Sequence, residues 1–308
     1  MNPSLMSITE CLPPNIAAEL KLLPLNILEK VNEIRLRSNR AVALTAANAT
    51  LFLRKGGKVA EFVASDCPEI CQEQLEQTVY ELCRRSIYCH QDELCQGFIS
   101  LPFGNRAGVC GKGVLRDGRV ESLKEINSIN IRIARQIKGC SNAIKSADIM
   151  GGIIIAGPPG SGKTTILRDI ARRMASGEGG SYIRTAVADE RGELAAVYNG
   201  ICGMDVGFCD VISGIEKSKA AAMAIRSMNP QLVVFDELGS GDDVDAVKLA
   251  AASGVAVATS IHISPARPLE KNPYYAELRD LFPTTVVLSE KVGEIKAILK
   301  NGEMKKCG

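Results

Sequence analysis

The sequence predicts an α/β fold in its second half, built on an open parallel sheet and preceded by a smaller α+β domain. Three observations carry this expectation. Residues 157–164 read Gly-Pro-Pro-Gly-Ser-Gly-Lys-Thr and fit the phosphate-loop pattern G-x-x-x-x-G-K-[ST] at every position. The apolar run Ile153-Ile154-Ile155-Ala156 precedes the motif and a helical pattern over 164–174 follows it, so it lies between a strand and a helix. Apolar strands then alternate with helices: strands over 152–156, 182–188, 231–236 and 255–261, helices over 217–228 and 243–253. Unbroken Val/Ile runs of this kind belong to strands covered on both faces.

The phosphate loop has a direct physical reading. Its glycines let backbone N–H groups close around phosphate oxygens, and the helix that starts there turns its positive end toward the same anion. The expected nucleotide contacts are Gly157, Pro158, Pro159, Gly160, Ser161, Gly162, Lys163, Thr164 and Thr165. Lys163 is placed to reach the β- and γ-phosphates, and Thr164 to offer a hydroxyl to Mg²⁺.

The first domain is expected over residues 1–138, a linker with a short helix over 139–150, and the phosphate-loop domain over 151–308. Residues 15–30 read as helix interrupted at Pro24. Glu33-Ile34-Arg35-Leu36-Arg37 alternates as a half-exposed strand does. Strands follow at 42–44 and 51–53, with a turn at Gly56-Gly57. An amphipathic helix is expected over 69–86, and strands at 98–101, 106–114 and 130–134. The last pair, over 284–299, reads as two edge strands around Gly293.

Composition narrows the function. The chain has 308 residues, 46% hydrophobic and 23% charged, with a formal net charge of +2. Residues 1–148 hold 19 basic and 16 acidic side chains, and 149–308 hold 18 and 19. Neither half is a basic domain, Trp is absent and aromatic residues total 4%, which argues against nucleic acid as a partner. No run of 18 apolar residues appears and the N-terminus lacks a signal-peptide pattern, so a cytoplasmic protein is expected. Eleven cysteines, scattered and odd in number, read as reduced thiols; the group from Cys67 to Cys95 lacks zinc-site spacing.

The other half of the nucleotide site is expected at Gln231-Leu232-Val233-Val234-Phe235-Asp236-Glu237, an apolar strand ending in two carboxylates. Ligands of open parallel sheets sit beyond the carboxyl ends of the strands. Asp236 is therefore placed to hold Mg²⁺, and Glu237 to activate a water. Asp236-Glu237-Leu238-Gly239 also fits the D-x-x-G of GTPases, but no N-K-x-D sequence reads guanine. Asp189-Glu190, after a second strand, is a further acidic pair. His262 closes a third strand, where it is placed to sense the γ-phosphate. Arg35, Arg37, Arg106, Arg132 and Arg135 lie near strands of the first domain, and an added arginine favours phosphoryl transfer.

Together these blocks resemble the stage III sporulation protein AA family, relatives of the type II and type IV secretion ATPases. In the first domain the resemblance rests on 33–37, Ser86-Ile87-Tyr88, Gly97-Phe98-Ile99, Arg106-Ala107-Gly108-Val109 and 130–135. In the second it rests on the phosphate loop, 189–194, 225–230, 236–239 and Thr259-Ser260-Ile261-His262. It implies a RecA-like P-loop NTPase domain that binds ATP with Mg²⁺, and assembly as a ring, with a hexamer expected. It gives Asp189 and Glu190 the place of an acidic box and His262 that of a histidine box, and has the first domain supply arginines to a neighbouring site. The partners it implies are membrane-embedded sporulation channel proteins, met from the mother-cell cytoplasm. ATP hydrolysis would power transport or assembly there. Secretion ATPases usually carry Gly-Glu where this chain has Asp236-Glu237, and the four-cysteine zinc motif of one branch has no counterpart. Two other readings remain beside this one: a RecA-class ATPase stimulated by nucleic acid, and a nucleotide-gated assembly factor with little turnover. Whether Glu190 or Glu237 activates the water is open at this point.

Overall fold

The computed structural model describes residues 3–46, 49–178, 180–264, 268–301 and 303–305. The chain divides into two units, Met1–Arg135 and Gln136–Gly308.

The first unit packs short helices on an antiparallel sheet. Its helices are α1 (Pro3–Thr9), α2 (Pro14–Leu22), α3 (Leu25–Leu28), α4 (Gln72–Leu82) and α5 (Gln91–Cys95). Its strands are β1 (Val31–Arg37), β2 (Arg40–Ala41), β3 (Ala43–Ala46), β4 (Ala49–Arg54), β5 (Lys58–Ala60), β6 (Glu69–Ile70), β7 (Phe98–Ser100), β8 (Arg106–Arg116) and β9 (Arg119–Arg132). Seven strands form one sheet in the order β5-β4-β3-β1-β9-β8-β7, while β2 and β6 pair separately. Period-two alternation places Ile34 and Leu36 of β1 in the core and leaves Arg37 exposed. Leu75, Thr78, Val79 and Leu82 form the buried stripe of α4 at helical spacing. Pro24 separates α2 from α3, as expected from a residue that cannot continue a helix.

One element exceeds the expectation. The strand expected at 106–114 is most of β8, and the one expected at 130–134 overlaps only the far end of β9; the two form a long hairpin whose register runs from Arg106↔Arg132 to Arg116↔Arg119. Its outer half is mostly exposed on both faces, so no apolar alternation marks it. Gly111 is required there, because a Cβ would stand 2.6 Å from the Lys124 carbonyl oxygen. Four of the five arginines singled out above are engaged within this unit. Arg35 and Arg132 approach Glu33 at 2.6 and 3.7 Å, Arg106 covers the Phe98 ring at 3.6 Å, and Arg135 donates to the Val31 carbonyl at 2.7 Å.

The second unit comprises α6 (Ser146–Met150), β10 (Ile153–Gly157), α7 (Lys163–Ala175), β11 (Thr185–Asp189), β12 (Val197–Tyr198), β13 (Ile201–Cys202), β14 (Asp210–Ser213), α8 (Lys217–Ser227), β15 (Leu232–Phe235), α9 (Gly241–Ala252), β16 (Ala256–His262), α10 (Pro273–Leu278), β17 (Thr284–Leu288), β18 (Ile295–Lys300) and β19 (Glu303–Lys305). Eight strands form a sheet in the order β14-β11-β15-β16-β10-β17-β18-β19. Pairing is parallel from β14 to β17 and antiparallel beyond. The unbroken apolar runs are explained by two cores. Ile153, Ile155 and Val234 pack toward α6 and α7, whereas Ile154, Val233 and Phe235 pack toward α8, α9 and α10. The segment over 284–288, read as an edge strand, pairs with β10 on one side and β18 on the other. Its two threonines are buried, and the Thr285 hydroxyl meets the Tyr275 hydroxyl at 3.3 Å.

Residues 139–150, expected as a linker and a short helix, are tied into this unit. Asp169 of α7, 1% exposed, accepts from Gly139 N (3.0 Å), Ser141 N (2.9 Å) and Ser141 Oγ (2.7 Å), and pairs with Arg172. Burial disfavours its charge, but the bonds from Ser141 and Gly139 and that from Arg172 hold the Asp169 carboxyl below the usual carboxylate range. The buried Arg173 guanidinium donates to the Ser141 and Ile144 carbonyls. Arg172 and Arg173, the basic residues of its last turn, thus anchor α7, and α7 opens at the phosphate loop.

Ten of the eleven cysteines lie among the described residues and all ten are free; Cys307 lies outside them.

Candidate functional site

The site forms at the carboxyl ends of β10, β15 and β16, which the sheet order makes near neighbours. The phosphate loop leaves β10 at Gly157 and enters α7 at Lys163. Gly160 and Gly162 have φ of 73° and 96°, a region that side chains with a Cβ rarely adopt. A Cβ on Gly162 would also stand 3.1 Å from Gly293 N. That contact identifies a part of the site that no motif announced. The turn between β17 and β18 packs on the loop, with Gly293 N–H donating to the Ser161 carbonyl at 2.8 Å and Val292 lining the same cavity as Pro159, Gly160, Gly162 and Thr165.

Three expected residues meet in one hydrogen-bonded chain. Lys163 Nζ donates to the carbonyls of Gly157 (3.0 Å) and Pro158 (2.9 Å) and lies 2.9 Å from His262 Nδ1. His262 Nε2 lies 2.8 Å from Glu237 Oε2. An ammonium has only donors, so Nδ1 accepts and Nε2–H donates to the carboxylate. Burial holds the Lys163 ammonium below the usual lysine range, and the Glu237 and Asp236 carboxylates oppose that shift.

Thr164 and Asp236 meet directly, with Thr164 Oγ1 donating to Asp236 Oδ2 at 2.9 Å. The other oxygen, Oδ1, accepts from Ser260 Oγ (3.0 Å) and Glu237 N (2.9 Å). Thr259 Oγ1 donates to the Asp236 carbonyl at 3.1 Å. The block Thr259-Ser260-Ile261-His262 therefore holds the Asp236-Glu237 turn through three of its four side chains. A hydroxyl beside one carboxylate is a hard, oxygen-only donor set. It fits Mg²⁺, which takes one or two carboxylates and fills its remaining positions with phosphate oxygens and water.

The second acidic pair is split. Asp189 is 2% exposed, and its carboxylate accepts from Leu194 N (3.0 Å), Ala195 N (2.8 Å) and Ala196 N (3.2 Å). It is occupied in folding the turn after β11. Glu190 is exposed and lines an adjoining cavity with Arg191, Lys217 and Gly239, apart from the residues of the phosphate loop. Glu193, Asp236 and Glu237 line both cavities. Glu193 has no motif of its own in the sequence and falls within the block 189–194. Its position follows from Arg168, a buried α7 guanidinium that donates to the carbonyls of Glu193 and Leu194.

Comparison with known proteins supplies the family and the fold. The sequence model described as "Sporulation stage III, protein AA" matches residues 13–305. The chain belongs to the sporulation stage III protein AA family. Its similarity to the stage III sporulation protein AA of Bacillus subtilis (strain 168) is 32% identity over 271 residues, 86% of this chain and 84% of that protein. Among solved structures, the ATPase DotB of Legionella pneumophila is similar at 15% identity, with a TM-score of 0.54 over 93% of this chain and 76% of that one. The pilus retraction motor PilT, solved with bound ADP, is similar at 15% identity, with a TM-score of 0.55 over 85% of this chain and 75% of that one. This member of the sporulation stage III protein AA family therefore has a RecA-like α/β unit preceded by an α+β unit, the fold class expected from the sequence.

Proposed function

We propose that the chain is a Mg²⁺-dependent ATPase of the stage III sporulation machinery. The observation that carries the reading is the 2.9 Å contact between Thr164 and Asp236 beside the buried Lys163. It joins the hydroxyl of the phosphate loop to a carboxylate 72 positions away, at the place where a triphosphate would bring its metal. Bound there, Mg²⁺ would neutralise charge on the β- and γ-phosphates. Lys163 releases its loop carbonyls and turns its ammonium to the same phosphates. Glu237, one of three carboxylates on the phosphate-loop cavity and the one that His262 holds by a hydrogen bond, takes the proton of the attacking water. Glu190 lines the adjoining cavity alone, whereas Glu237 also lines the phosphate-loop cavity, so we assign water activation to Glu237.

Family membership supports the biological setting. We place the chain in the mother-cell cytoplasm as a ring, a hexamer, docked on membrane-embedded sporulation channel proteins, with hydrolysis driving transport or assembly. Among the described residues no helix is long and apolar enough to cross a membrane. The test is phosphate release by the purified chain. Release from ATP is expected with Mg²⁺ and is expected to stop when EDTA removes the metal. Release that EDTA leaves unchanged, or none from assembled protein, overturns the reading.

A further inference from the structure

We propose that Lys217 is a positioning residue for Glu237, fixing the main chain of the water-activating carboxylate from the side away from the phosphate loop. The inference rests on the ATPase reading above. Lys217 opens α8, and its side chain is 19% exposed. Its Nζ donates to the Glu237 carbonyl oxygen at 2.5 Å and lies 3.3 Å from Asp243 Oδ2, on a side chain 4% exposed. The same Asp243 oxygen accepts from Gly239 N (2.9 Å) and Ser240 N (3.0 Å), the residues that follow the acidic turn and cap α9. On the other side of the residue, Glu237 N–H donates to Asp236 Oδ1. The Glu237 backbone is thus held at its amide by the metal-side carboxylate and at its carbonyl by Lys217.

The side chain of Glu237 needs that support. It is 39% exposed, and His262, the side chain it pairs with, is 41% exposed. Two half-exposed groups hold each other weakly against solvent. A base displaced by about 1 Å from its water loses about a hundredfold in rate. Lys217 also reaches the second acidic turn, since its N–H points to Glu190 Oε2 at 3.4 Å. One residue therefore spans the turns after β11 and β15 and the start of α9. An ammonium is suited to this: it has three donors, and the buried Asp243 carboxylate needs a cation beside it.

The test is a kinetic double-mutant cycle on the full chain. Lys217→Met is expected to lower kcat for ATP hydrolysis tenfold or more, with KM for ATP and the affinity for ATP held within about threefold. Lys217→Arg is expected to restore at least a third of the parent kcat, because it keeps both the donor and the charge. In a Glu237→Gln background, Lys217→Met is expected to cost less than twofold, since it acts through the missing base. A merely structural role would lower stability and KM-limited rates alike and would add in both backgrounds. An unchanged kcat in Lys217→Met, or a full additive loss beside Glu237→Gln, overturns the proposal. If Lys217→Met does not fold, Lys217→Gln takes its place in the same cycle with the same criteria. A parent protein without turnover would instead refute the ATPase reading, so the two failures are distinct.

Discussion

Lys163→Ala is expected to lower ATP turnover about 10²–10³-fold, the usual cost of removing one donor aimed at developing charge. It is also expected to weaken ATP binding, because the ammonium meets the β- and γ-phosphates before as well as during reaction. The fold is not expected to suffer. Lys163 is 6% exposed and held by two loop carbonyls and an imidazole, while burial pulls its pKa down. The free protein therefore bears a desolvated cation there, and alanine removes it. Phosphate release measured beside a urea unfolding curve separates the two effects. Equal turnover by parent and variant would sink the role of Lys163.

Glu237→Gln is expected to have the opposite signature: hydrolysis falls about 10²–10⁴-fold while ATP affinity stays within a few-fold. Glutamine keeps the size of the side chain and an oxygen to accept from His262 Nε2, but it cannot take a proton. The main chain of residue 237, held by Asp236 Oδ1 and Lys217 Nζ, is unaffected by the exchange. Such a variant is expected to trap ATP, which nucleotide extraction after a spin column reads directly. Glu190→Gln provides the contrast: its carboxylate lies in the neighbouring cavity, and its loss is expected to cost less than tenfold. Should Glu190→Gln abolish turnover while Glu237→Gln leaves it intact, the assignment of the base is reversed.

What the sequence made legible is what local pattern can encode. The phosphate loop is a contiguous motif whose glycines need positive φ, and the apolar runs of β10, β15 and β16 report strands covered on both faces. Asp236, Glu237 and His262 follow from the rule that ligands gather at carboxyl ends of parallel strands. What stayed hidden is assembled from distant segments. Gly293 and Val292 reach the loop only because β17 pairs with β10, which no periodicity announces. Lys217 reads as an ordinary basic residue at a helix start, and its use depends on where α8 ends up against α9. Asp189 reads as half of an acidic pair, but its oxygens close the turn at 194–196, a demand visible only once backbone N–H groups are counted. The outer half of the β8–β9 hairpin lacked a signal because neither face is buried.

The central claim is that the loop from Gly157 to Thr165 grips a triphosphate whose metal is shared between Thr164 and Asp236. Titration calorimetry of the folded chain with ATP and Mg²⁺ tests it most directly. One nucleotide bound per chain is predicted, with affinity lost at least tenfold when Mg²⁺ is withheld. No uptake of ATP by protein that is folded by circular dichroism would contradict the account.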